Sequence, residues 1–419
     1  MSAPSLAELV RVSARVGFLS FGGPAAQIAL MHKEFVEDRN WLDEQTYLRA
    51  LSLCMLLPGP EAMQLATYAG WRLHGTIGGL IAGGLFVLPG AAVILVLALG
   101  YATYGQMPLV QAVFVGIKAT VIVIVLEALL RVSRKALTSR SAWIIAGLAF
   151  IGIFAFSLPF PLIIALAAAW GFWATDPTAR PATPADTGQT SPNAARTIVI
   201  WGMLWLAPLA VLAALDQTFL TQLGLFFAKL AVVTFGGAYA VLAYMTQTVV
   251  SDYGWITTAQ MIDALGLAET TPGPLILVTE FVALLAGFHQ GGTGLALAAG
   301  LVALWATFVP CFLWIFLAGP YLDQIAARPR LAAALQAITA AVVGVILNLS
   351  LWFALHVLFG TVTQTRIGPL SLPVPDIATM QPTAAVLMAF AALLLLRLKQ
   401  GLGLVLPLTG AIAGVISFL

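Results

Sequence analysis

Two Pro-Gly-Pro triplets, Pro58-Gly59-Pro60 and Pro272-Gly273-Pro274, lie inside apolar stretches of the chain. Proline has no amide donor and glycine reaches backbone angles other residues avoid, so each triplet should break a helix. Broken backbone at membrane depth is tolerated only where it is buried in protein or lines a polar cavity. The half-helix that starts after such a break presents unpaired N–H groups and the positive end of its dipole, which is an anion-binding device. Phe21-Gly22-Gly23 and Phe235-Gly236-Gly237 could add exposed amides or let helices approach closely. One Pro-Gly-Pro in a membrane helix is most often a mere kink; two at matching places favour a site, with Thr271 beside the second as a hydrogen-bond donor.

Charged side chains extend the candidate set. Lys118 sits within VFVGIKATVIVIVLEALL, where an ammonium costs several kcal/mol unless paired or hydrated. It could supply positive charge to a bound anion; alternatively it snorkels or pairs with Glu127. Glu61 follows the first break directly and Glu269 precedes the second. Either carboxylate could couple proton movement to transport, while Glu61 could also be a capping charge on the half-helix. Gln27, Gln64, Thr234, Thr270 and Thr271 lie on or beside the breaks and could donate hydrogen bonds to oxygens, and each alone is more often packing glue.

The elements that must position these residues are membrane helices. The chain is 61% hydrophobic and only 9% charged, against roughly 25% charged in a soluble domain. The reading is an all-α, polytopic transmembrane bundle of about thirteen apolar spans. They lie near 12–31, 47–71, 76–104, 109–130, 142–157, 159–174, 197–215, 219–250, 259–288, 293–319, 332–359, 383–396 and 402–419. The residues from 176 to 196, rich in Pro, Thr and Ala, read as a flexible linker. Those from Gly360 to Pro382 read as an ordered loop or surface segment. No removable signal peptide is visible at the N-terminus. With that end inside, thirteen Lys and Arg fall on the cytoplasmic side and four outside, the asymmetry of the positive-inside rule. The C-terminus is then external.

An internal repeat organises the spans. A shift of 214 positions aligns residues 21–60 with 235–274 without a gap, with 15 of 40 identical. After an insertion the shift becomes 221, pairing Pro89 with Pro310. The domains expected are a first repeat at 1–175, the linker at 176–196, a connecting span at 197–216 and a second repeat at 217–419. The copies start in spans 1 and 8, so the second enters from the opposite side, an inverted-topology repeat. No GxSxG, P-loop, HExxH or dinucleotide fingerprint is present, and the four histidines and two cysteines lack metal-ligand spacing. No catalytic residue, cofactor, metal or nucleic-acid partner is expected; the partners are the lipid bilayer and a small anion, and a homodimer stays open.

The motifs resemble the chromate ion transporter family in its long, two-domain bacterial form. The string SFGGPAAQIALMHKEFVEDRNWLDEQTYLRALSLCMLLPGPEAMQLATYAGWRLHGTIGGLIAGGLFVLPG carries the likeness, answered by VTFGGAYAVLAYMTQTVVSDYGW and ETTPGPLILVTEFVALLAG. The second copy departs in having Ala238 where the first has Pro24, and in lacking a basic residue before Trp255. The resemblance implies efflux of chromate across the bacterial cytoplasmic membrane, powered by the proton gradient or membrane potential, giving chromate resistance. Chromate is a sulfate-like tetrahedral dianion, which amide nests and a lysine would suit. Sulfate or another oxyanion is the alternative substrate; a membrane-embedded enzyme or a lipid scramblase is the reading from a different class.

Overall fold

The structure, a computed structural model, describes residues 4–174, 194–235, 238–322, 328–368 and 370–418. Most of the 176–196 linker and the Gly236-Gly237 pair lie outside the described residues. The first repeat holds α1 (Leu6–Leu19), α2 (Gly23–His32), α3 (Glu44–Leu56), α4 (Glu61–Tyr104), α5 (Pro108–Ala136), α6 (Arg140–Phe154) and α7 (Phe160–Trp173). Then come α8 (Ala194–Ala214), α9 (Thr218–Val233), α10 (Ala238–Thr246), α11 (Thr258–Glu269), α12 (Val278–Ala318), α13 (Pro329–Leu358), α14 (Pro382–Ala392) and α15 (Leu402–Ile416). The described residues of the Gly360–Pro382 segment are ordered, as expected, but depart from an all-α chain. They form an antiparallel hairpin of β1 (Val362–Ile367) and β2 (Leu370–Pro375), turning at Gly368 with φ of +62°.

Helix starts follow local chemistry. Ser5, Asp43 and Ser139 cap α1, α3 and α6 through side-chain oxygens that accept a backbone N–H. Thr257 and Gln260 form a reciprocal capping box on α11. The backbone and hydroxyl of Thr46 both donate to Asp43, and those bonds hold its carboxyl below the usual carboxylate range.

Among the described residues, five apolar helical segments are long enough to cross a membrane: Glu61–Tyr104, Pro108–Ala136, Ala194–Ala214, Leu275–Tyr321 and Pro329–Leu358. Two of them are hairpins. Non-helical angles at His74-Gly75 and Gly291-Gly292 fold α4 and α12 back on themselves, in the gaps expected between spans. The arms are so close that a Cβ on Gly70 would meet Gly78 O at 2.2 Å, and one on Gly287 would meet Leu295 O at 2.8 Å. Large apolar side chains such as Val96, Trp143, Met203 and Leu301 point outward and exposed, as a lipid-facing surface requires. The protein is an α-helical, multi-pass membrane protein.

The described residues fall into two compact units that do not follow the repeat boundaries. One draws on Met1–Leu99, Thr175–Ala238 and Thr271–Ala332. The other draws on Gly100–Ala174, Tyr239–Thr270 and Ala333–Leu419. Within the first, α8 and α9 pack on α12; within the second, α5 packs against α11, α14 and α15.

Candidate functional site

In the first unit both Pro-Gly-Pro triplets are true breaks. Helix α3 stops at Leu56, α4 starts at Glu61, and Gly59 takes φ of +119° between them. Gly273 takes φ of +89°, and a single 3-10 turn (Leu275–Leu277) leads from Pro274 into α12. Thirteen residues of α3 rise roughly 20 Å, short of the roughly 30 Å of hydrocarbon. Phe-Gly-Gly is a break as well, since α1 ends at Leu19, α2 starts at Gly23, and Gly22 and Gly23 have φ of +86° and +78°. Conformation rather than close approach explains Gly23, where a Cβ would meet nothing within 4 Å; one on Gly22 would lie 3.3 Å from Ala26 Cβ, on the helix that follows.

The two breaks are tied to each other crosswise. Gly59 N–H donates to Thr234 O at 2.8 Å, and Gly273 N–H donates to Ser20 O at 2.9 Å. Ser20 and Thr234 are themselves equivalent under the 214 shift, and each hydroxyl donates one turn back, to Val16 O and Leu230 O. Gly90 lies under Pro272 O, while Cys311, its equivalent under the 221 shift, lies over Gly59. Contacts of the form i to j′ and i′ to j are what a two-fold relation produces. Gln64 Nε2 donates to Pro58 O, and Gln27 Nε2 donates to both Ser20 O and Gly273 O. The amides of Gly59 and Gly273 are therefore occupied. What remains for an anion is the start of the half-helix after each break, where the positive end of its dipole lies.

Between those half-helix starts lies a cavity of 10 Å³, lined by Pro24, Gln27, Pro60, Glu61, Ala62, Thr234, Ala238, Pro274, Leu275 and Ile276. Pro24 with Ala238, Pro60 with Pro274, Glu61 with Leu275 and Ala62 with Ile276 are repeat-equivalent pairs, so both copies line the cavity with matching positions. Gln27 Oε1 is buried without a hydrogen-bond partner among the described residues. This volume holds about one water, not a tetrahedral oxyanion, so the breaks are closed here. Thr271 is buried near the second break, in the same unit.

Lys118 and Glu269 belong to the other unit. Lys118 does not pair with Glu127, which bonds Arg131 at 2.7 Å. Its Nζ lies 3.4 Å from Asp263 Oδ2, and Tyr101 donates to the same oxygen at 2.7 Å. Lys118, Asp263, Tyr101, Gln111, Gln260 and His356 are among the walls of a cavity of 490 Å³. Glu269 is buried and accepts a hydrogen bond from Tyr239 at 2.6 Å. Sequence reading missed Asp263 because it stands close to the start of its apolar stretch, where a carboxylate looks interfacial. A usable signal was there: the 214 shift sets Asp263 opposite Arg49, so this helix position is charged in both copies.

Comparison with known proteins agrees with this arrangement of paired copies. The chromate transporter family model matches twice, over residues 7–172 and 221–415. The chromate transport protein of Cupriavidus metallidurans is 31% identical over 344 residues, 82% of this chain and 81% of that protein. The chromate transport protein of Pseudomonas aeruginosa is 32% identical over 345 residues, 79% of this chain and 77% of its own length. An uncharacterized transporter of Methanocaldococcus jannaschii is 24% identical over 357 residues, 84% and 86% of the two chains. No solved structure matches the chain. With two matches to one family model and relatives named as transport proteins along four-fifths of its length, the chain belongs to the chromate transporter family and is a membrane transporter rather than an enzyme.

Proposed function

We propose that this protein is a secondary transporter that exports chromate across the bacterial cytoplasmic membrane, driven by the proton gradient or the membrane potential, and so gives chromate resistance. The observation that carries the reading is the pair of crosswise-bonded breaks, whose two half-helix starts face one cavity that both copies line with matching positions. Two positive helix ends converging on one point suit an anion better than a cation or a neutral solute. A closed cavity of one-water size fits an occluded stage of alternating access, in which the breaks part to admit the ion. The relatives named for chromate support the choice of ion; sulfate or another oxyanion of like charge and shape is the alternative.

The finer architecture proposed with it has about thirteen spans, the two copies inverted, the N-terminus cytoplasmic and the C-terminus external. The reciprocal contacts between equivalent residues support a two-fold relation of the copies, and the Lys and Arg asymmetry supports the orientation. Inverted membrane vesicles carrying the protein are expected to accumulate radiolabelled chromate when energised, and vesicles without it are not. Accumulation of sulfate with equal chromate exclusion would reassign the substrate; lipid flipping without ion flux would refute transport. Orientation has its own check: a single cysteine at Ser139 is expected to be shielded from impermeant reagents outside intact cells, and one at Thr363 to react. The reverse pattern would overturn the orientation.

A further inference from the structure

The cavity around Lys118 has a feature that the paired breaks do not use. Asp263 is buried, with its side chain 4% exposed, yet its Oδ1 has no hydrogen-bond partner among the described residues. Its Oδ2 holds both Tyr101 and Lys118, and the Lys118 contact of 3.4 Å is longer than the 2.7–2.9 Å of a tight charge-assisted bond. A buried carboxylate with one orphaned oxygen is costly, and Lys118, 22% exposed, faces a cavity of 490 Å³ that can admit a tetrahedral oxyanion. The titratable groups facing Asp263 are Lys118 from α5 and Tyr101 from the end of α4; His356 from α13 lines the same cavity.

We propose that this cavity binds a tetrahedral oxyanion dianion on Lys118 in exchange for the Asp263 carboxylate, which takes up one proton as the anion arrives. The proposal rests on the reading of the chain as an oxyanion transporter. The Lys118–Asp263 ion pair breaks, a Lys118–oxyanion pair forms, and the proton enters from water onto an Asp263 oxygen. No oxidation state changes. A dianion brought beside an ionised Asp263 would meet a like charge at close range, and protonation removes that repulsion. Anion and proton then move together, carrying one net negative charge outward. An inside-negative potential therefore drives export, and an acid exterior opposes it.

The test uses the purified full chain with chromate as the probe, at about pH 7.5 to 9, where chromate stays the dianion and its own titration does not intrude. Titration calorimetry in buffers of different ionisation enthalpy counts protons. Wild type is expected to take up about one proton per chromate, with affinity falling up to tenfold per pH unit once Asp263 is ionised. Asp263→Asn is expected to bind at least tenfold tighter at the upper end and to lose both uptake and pH dependence. Asp263→Glu keeps them. Should Asp263→Asn fail to fold, Tyr101→Phe tests the same point: losing a donor to the carboxylate should carry tight binding to higher pH. Proton uptake that persists in Asp263→Asn, or an unshifted pH profile in Tyr101→Phe, overturns the exchange. In vesicles, a potential set by potassium and valinomycin should drive chromate flux with no pH gradient; flux that needs the pH gradient alone also overturns it. No binding of chromate, sulfate or molybdate by wild type would instead bring down the transporter reading beneath.

Discussion

Leucine in place of Gly59 or Gly273 is expected to abolish chromate flux in vesicles while the protein still inserts in the membrane. Insertion is driven by the apolar length of the segments, which the change leaves intact. Function should fail for two reasons. Both glycines hold positive φ, +119° and +89°, a conformation that costs a side chain about 1–3 kcal/mol. A Cβ on Gly59 would also lie 2.8 Å from Gln64 Nε2 and 3.0 Å from Cys311 Sγ. On Gly273 it would lie 3.2 Å from Leu277 Cδ1 and 3.4 Å from Phe86 O. Either displacement breaks the crosswise bond to Thr234 or Ser20 that aligns the facing half-helices. The check is flux per inserted molecule, with thermal stability in detergent measured alongside. Wild-type flux in both variants would show that the breaks are only kinks.

Loss of the lysine should be nearly as severe. Lys118→Gln is expected to weaken chromate binding at least tenfold, followed by tryptophan quenching. A charge-assisted hydrogen bond in a partly dry site is worth about 1.5–3 kcal/mol, and each 1.4 kcal/mol is roughly a factor of ten. Lys118→Arg should keep part of the affinity, since charge survives while geometry changes. Removing Lys118 also strands Asp263, its partner at 3.4 Å, and breaking a buried pair from one side costs about 3–5 kcal/mol. Lys118→Gln with Asp263→Asn should therefore recover the stability but not the binding. Recovery of both would make Lys118 a counter-charge to Asp263 and nothing more.

Much of this was legible in the residues themselves, because the signals are local. Pro-Gly-Pro forbids a continuous helix by the chemistry of its own three residues, wherever the chain runs. Apolar stretches interrupted near His74-Gly75 and Gly291-Gly292 announce the hairpin turns of α4 and α12. Identity between residues 21–60 and 235–274 shows the duplication without any coordinates.

Partners could not be read this way. Lys118 was open to Glu127, nine positions along its own helix, and took Asp263, on another. The 3.6-residue turn sets which neighbours a helix face offers, but a half-buried ammonium goes to whichever carboxylate packing brings within reach. Helix breakage is local, whereas the acceptors that occupy the amides of Gly59 and Gly273, Thr234 O and Ser20 O, come from the other copy. Sequence determined that there are two breaks and two copies. Tertiary structure alone decided that each copy closes the other's break, because a backbone hydrogen bond is specified by proximity and not by residue type.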